Sequence, residues 1–121
     1  MSSKTILIKR QNHRTHPCED ARKKELLKRL ITQNEGVKTV VVSTNIEDIQ
    51  DLCEDENITI VNDEMLSKTP ELKCELLISY DLPLHVDAYI ERVSHTNKDA
   101  LIVLGKSQES LLYPIETFMK R

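Results

Sequence analysis

Two imidazoles and a thiol fall within the six residues His13-Arg14-Thr15-His16-Pro17-Cys18. Zinc accepts such donors, but a closed site needs four of them. The remaining donors, Cys53, Cys74, His85 and His95, are scattered, with no second pair at finger-like spacing. The segment therefore reads as a polar loop, and no metal is expected. Cys18 precedes Glu19-Asp20 at a helix start, a position that can lower a thiol pKa. No histidine or oxyanion device is tied to it by spacing, so no catalytic residue is assigned. Three widely spaced cysteines do not form a disulfide framework, and reduced thiols in a cytoplasmic protein are expected.

Charge is unevenly distributed. Residues 1–16 carry Lys4, Lys9, Arg10 and Arg14 and no acid. Such a segment suits phosphate contacts, the main source of sequence-independent affinity for nucleic acid. It holds no aromatic residue, so base stacking is not indicated. Residues 36–65 carry one base, Lys38, against eight acids, and would repel a polyanion. The run Asp48–Glu56 lacks the Gly and the regular Asp spacing of a calcium loop and reads as a solvated face. Asn62-Asp63-Glu64, after a β-type run, loosely suggests the acceptor position of a receiver-like regulator.

These residues need elements to hold them. The chain has 121 residues, 39% hydrophobic and 31% charged, which suits one globular domain. With one Phe, three Tyr and no Trp, its core must be built from Leu, Ile and Val. No apolar run reaches the roughly 20 residues that span a bilayer, so no membrane association is expected. Strands are predicted at Thr5–Ile8, Lys38–Ser43, Asn57–Val61, Glu75–Tyr80 and Ala100–Leu104. Helices are predicted at Glu19–Ile31, Ile46–Cys53, Leu84–Val93 and Ser107–Met119, the last kinked by Pro114. Residues 9–18 read as loop, so that 1–18 form a basic strand and loop leading into a single domain over 1–121. Residues 62–73 read as irregular or weakly helical. Gly36 suits a helix stop. Strands alternating with helices imply a three-layer α/β fold: a mostly parallel five-stranded sheet with helices on both faces. Ligands of such sheets bind beyond the carboxyl ends of the strands.

The segment Leu77–Lys98, LISYDLPLHVDAYIERVSHTNK, resembles DEAD-box RNA helicases, from their V-I-N-Y-D-x-P strand into motif VI, H-R-x-G-R-x-G-R. Ile78, Tyr80, Asp81, Pro83, Tyr89 and Arg92 match in register. Lys38–Thr44 resembles the V-F-V-x-T strand of motif IV, and Lys24–Leu30 the helix before it. The resemblance covers most of residues 20–118 and implies the second RecA-like domain of the family, a Rossmann-like fold. It implies nucleotide-facing positions at Arg92, His95 and Lys98, and RNA contacts from Lys9, Arg10, Arg14, Ser43 and Thr44. Asp81 reads as a turn acceptor ahead of the helix.

The sequence departs from the family where the family does its chemistry. Glu91, Ser94 and Asn97 replace the His and two Gly of motif VI. The two arginines that reach the γ-phosphate fall on His95 and Lys98, which lack a rigid, permanently charged fork. Motif V is missing, as are a G-x-x-x-x-G-K-[ST] loop and a D-E-A-D box, and two glycines could not build a phosphate-cradling loop. The expectation is an RNA-binding or helicase-associated module without ATPase activity of its own. It would take no cofactor alone, and ATP with Mg²⁺ only if a partner supplies the first RecA-like domain. The competing expectation is a protein-interaction module with the same fold and no nucleic-acid role.

Overall fold

The computed structural model describes residues 12–52 and 55–119. The predicted strand Thr5–Ile8 and the candidate RNA contacts Lys9 and Arg10 lie outside the described residues. Five strands form one sheet: β1 (Asn12–Cys18), β2 (Thr39–Ser43), β3 (Ile58–Asn62), β4 (Cys74–Ser79) and β5 (Thr96–Gly105), in the spatial order β1-β5-β4-β2-β3. Every pairing is parallel. The helices are α1 (Lys23–Gln33), α2 (Asp63–Ser67), α3 (Val86–Val93) and α4 (Glu109–Met119).

The sheet is covered on both faces, as parallel sheets require. On one face Leu27 and Leu30 of α1, with Ile49, pack against Val41, Leu76, Ile78, Leu101 and Val103. On the other, Leu66, Tyr89, Val93 and Ile115 from α2, α3 and α4 pack against Val40, Val42, Leu77, Ala100 and Ile102. The alternation of strand residues between the two clusters is the two-residue period of a pleated strand. All five residues of β2 are buried, because this strand has neighbours on both sides and cover above and below.

Two local expectations change. Residues 12–18, read as loop, are the edge strand β1, paired with β5 from Asn12–Asp99 to Cys18–Gly105. Polar residues serve an edge strand well, since one face and one edge need not be apolar. Within the predicted helix Ile46–Cys53, the described residues 46–52 form tight turns: the Ile46 carbonyl accepts from Ile49 N–H at 3.0 Å and from Gln50 N–H at 2.8 Å, and the Ile49 carbonyl from Leu52 N–H at 3.0 Å. Ile46, Ile49 and Leu52 recur every third residue, which suits three-residue turns better than the 3.6-residue period of an α-helix. The stretch 62–73, read as irregular or weakly helical, holds a short helix over 63–67, capped where the Asn62 side-chain oxygen accepts the Met65 N–H at 2.7 Å. The stop at Gly36 is observed, with φ of 86° just after α1.

Pro114 lies inside α4, which continues through it. It has no N–H for the helix ladder, and a proline in a helix interior costs about 3 kcal/mol. Pro114→Ala is therefore expected to stabilise the chain by about 1–3 kcal/mol in urea unfolding; an unchanged or lower midpoint would show that the proline is strain-free in this helix.

Candidate functional site

The chain leaves β2 over the α1 face, through the turns at 46–52, and leaves β4 over the opposite face, into α3. Because β2 and β4 are neighbours, their carboxyl ends flank a topological switch point, the place where open α/β sheets bind ligands. Asp81 fills it. Its Oδ2 accepts from the Ser43 hydroxyl at 2.9 Å, the Thr44 hydroxyl at 2.7 Å and the Thr44 N–H at 3.1 Å. Its Oδ1 accepts the Thr44 N–H at 2.9 Å. A backbone N–H and two hydroxyls converging on one anion would suit a phosphate, but here the anion is the chain's own carboxylate.

Arg92 completes the site from α3. Helix side chains lean toward the helix N-terminus, so this long residue in the last turn reaches back to the carboxyl edge. Its Nε and Nη2 donate to the two Asp63 oxygens at 2.7 and 2.9 Å, a two-pronged pair. Nη2 also donates to Asp81 Oδ1 at 3.2 Å, and Nη1 to the Asp81 carbonyl. The side chain is 0% exposed, and a buried cation persists only when paired in this way.

The positions expected to face a nucleotide are thus dispersed. Arg92 points inward, its donors committed to Asp63 and Asp81. His95 is buried at the other end of α3, its Nδ1 2.6 Å from the Leu72 carbonyl and its Nε2 3.7 Å from Glu91. Lys98 is exposed near the start of β5, at the amino edge of the sheet. Among the expected RNA contacts, Ser43 is buried and Thr44 exposed, both bound to Asp81. Arg14 is exposed on β1 and lies 3.9 Å from Asp99. Three strand spacings, about 14 Å, separate β1 from β2, so Arg14 and the Ser43-Thr44 pair do not share one contact point.

Strand geometry also separates the histidines. His13 lies 3.2 Å from the Tyr89 hydroxyl, on the face of α3 and α4, whereas Cys18 packs into the α1 cluster. His16, three positions from His13, therefore points the other way. Among the described residues no three His, Cys, Asp or Glu side chains are grouped to hold a metal ion. Burial pushes the Cys18 thiol pKa up, over the opposing pull of Lys23. Burial likewise raises Cys74 to about 11, partly offset by a hydrogen bond from Thr96. Neither thiol is a nucleophile near neutral pH. Asp63 is held in a bidentate pair at the end of an edge strand, not in the acidic cluster at a buried strand end that a receiver requires.

The residues this site owes to the structure are Asp63 and Asp20. Asp63 follows the β-branched run of β3, a strand-end signal visible in the sequence, but its partner is distant in the chain. Asp20 Oδ1 accepts from the Ser107 hydroxyl at 3.1 Å and lies 3.4 Å from the Ser107 N–H, closing the end of β5. Gly105 allows this approach, since a Cβ there would collide with the Asp20 carboxylate.

No family model matches the sequence, and no curated protein matches it. Solved structures do match in fold. A DEAD-box protein from the hyperthermophile Methanococcus jannaschii aligns with a TM-score of 0.78 and 18% identity over 95% of this chain. The E. coli DEAD-box protein SrmB, in its structure bound to regulator of ribonuclease activity A (RraA), aligns with a TM-score of 0.71 and 15% identity. That alignment covers 89% of this chain and 85% of the SrmB chain. The chain spans 41% of the length of the M. jannaschii protein. Its α/β sheet is the RecA-like fold of these DEAD-box structures.

Two outcomes are expected. Arg92→Ala strands the buried Asp81 carboxylate and removes the partner of the half-buried Asp63, and is expected to cost about 3 kcal/mol in denaturant unfolding; a loss under 1 kcal/mol would show that water reaches the cluster. The folded chain holds the Cys74 proton up to about pH 11, while the unfolded chain releases it near 9, so the contribution of this group is full below about pH 9 and falls between about 9 and 11. Native-state alkylation at pH 8 should modify Cys18 well before Cys74.

Proposed function

We propose that the chain is a helicase-C-like accessory module, one that binds single-stranded RNA weakly and hydrolyses no ATP by itself. The observation that carries this reading is the switch-point crevice: in a RecA-like sheet its donors are taken by Asp81, and the one arginine retained from motif VI is taken by Asp63 and Asp81. A module built this way keeps the architecture and lacks a free arginine finger for a γ-phosphate. The DEAD-box resemblance over 77–98 supports RNA as the ligand class, and the reduced, buried thiol of Cys74 suits a cytoplasmic setting. Among the described residues no helix is long and apolar enough to cross a membrane. ATP and Mg²⁺ would enter only with a partner that carries the first RecA-like domain.

A protein-interaction role is the second reading, favoured by exposed apolar side chains at Met65, Leu84 and Tyr113. SrmB was crystallised with a protein partner, and an interaction of that general kind would suit this chain.

The test is an amide titration of the labelled protein with a short single-stranded RNA at two salt concentrations, then with ATP and Mg²⁺, beside a phosphate-release assay. Salt-sensitive shifts with RNA, none with nucleotide and no phosphate release are expected. Phosphate release by the purified chain would overturn the proposal, and silence toward RNA at low salt would favour the protein-interaction role.

A further inference from the structure

The fold converts a charge asymmetry along the sequence into one across the molecule. β1 and β3 are opposite edges of the sheet. The acid-rich stretch runs from the turns after β2, on the α1 face, to the two ends of β3, with Glu47, Asp48, Asp51, Asp55, Glu56 and Glu64 all exposed. At the other end, Arg14 on β1 has a side chain 65% exposed. Arg22, Lys24, Lys28 and Arg29, before and within α1, are exposed as well and form no ion pair among the described residues. Arg22 and Arg29 stand two helical turns apart, about 10 Å. Together they flank a groove of about 150 Å³ floored by Pro17, Cys18 and Leu26. Glu25 is the one acid lining that groove.

The carboxyl edge, where such sheets usually take anions, is closed by the chain's own carboxylates: Asp81 at the end of β2 and Asp20 at the end of β5. The exposed large apolar residues, Met65, Leu84 and Tyr113, all sit on α2, α4 or the loop into α3. The α1 surface therefore lacks the apolar centre of a protein interface. Free cations, a groove between two arginines and no apolar anchor suit a flexible polyanion.

We propose that the outer face of α1 and the adjoining edge of β1 bind the phosphate backbone of single-stranded RNA, through Arg14, Arg22, Lys24, Lys28 and Arg29. This rests on the RNA-binding reading above and moves its contact surface from the carboxyl edge to the α1 side. No exposed aromatic lies on this face, since the Tyr80 ring is capped by Lys23 Nζ 4.5 Å from its centroid. Binding is therefore through phosphates and independent of base sequence. With about four to five phosphates neutralised, log K should fall against log salt with a slope of about −3.

The test compares wild type, Arg22→Glu/Arg29→Glu and Lys73→Glu/Lys98→Glu. The two double variants change net charge equally, the second at exposed positions by the starts of β4 and β5, away from the groove at Pro17 and Cys18. Affinity for a fluorescent oligouridylate is read by anisotropy at several salt concentrations. Reversal at Arg22 and Arg29 is expected to weaken binding at least about tenfold and to flatten the salt slope by about 1.4; the control should lose about threefold or less. Equal losses in both double variants would overturn the α1 surface and leave RNA binding intact. Absence of wild-type binding at low salt would overturn the RNA reading itself. Amide shifts of the wild type provide a second readout: shifts over 22–29 support the surface, and shifts confined to other residues sink it even if the double variant misfolds.

Discussion

A guanidinium without access to water lies between two carboxylates at the carboxyl edge of this sheet, and the arrangement of four elements depends on it. Arg92 brings α3, Asp63 brings the start of α2, and Asp81 brings the end of β4 together with Ser43 of β2 and Thr44 just after it. Each partner satisfies a group that would otherwise be left charged or unpaired in a low-dielectric setting. Attraction between such charges is offset by the cost of removing them from water, so the cluster contributes less to net stability than to uniqueness of geometry. It fixes how far α2 and α3 can shift over the sheet, which apolar contacts alone specify only loosely.

The same cluster connects fold to function. A parallel sheet with a switch point has a natural ligand site between β2 and β4. In this chain the site is filled from within, and its donors are already satisfied. The RecA-like architecture is thus present with its switch point occupied by the chain's own side chains, and fold alone does not dictate what such a sheet does.

Much of the architecture was legible because it rests on local pattern. Thr39–Val42 reads as a buried strand from its β-branched run, and Leu27 and Leu30 mark the inward face of α1. Gly36 marks a helix stop, and it takes the left-handed backbone expected there. The reading of Asp81 as a turn acceptor ahead of the helix singled out the residue but not its role: its carboxylate accepts from Ser43, Thr44 and Arg92, while the Leu82 N–H goes to Gln108. What stayed hidden depends on distant contacts. Nothing local in His13–Cys18 announces a strand; only pairing with β5 makes it one. Arg92 looked available because sequence shows neither its burial nor the approach of Asp63, 29 positions earlier. The dispersal of Arg92, His95 and Lys98 follows from the direction of α3, which carries His95 to the amino edge while Arg92 reaches back.

The position of β1 has a consequence for how the chain reaches this structure. Among the described strands β1 pairs with β5 alone, Asn12 with Asp99 and Cys18 with Gly105. β1 must therefore wait, without a partner among the described strands, until β5 has been made. β2, β3 and β4 can assemble earlier, with much shorter loops to close. During that wait the polar character of His13–His16, with Arg14 among them and Pro17 beyond, keeps an unpaired segment from joining the wrong sheet. Those residues look ill-suited to a strand, and that same character keeps the segment soluble through synthesis.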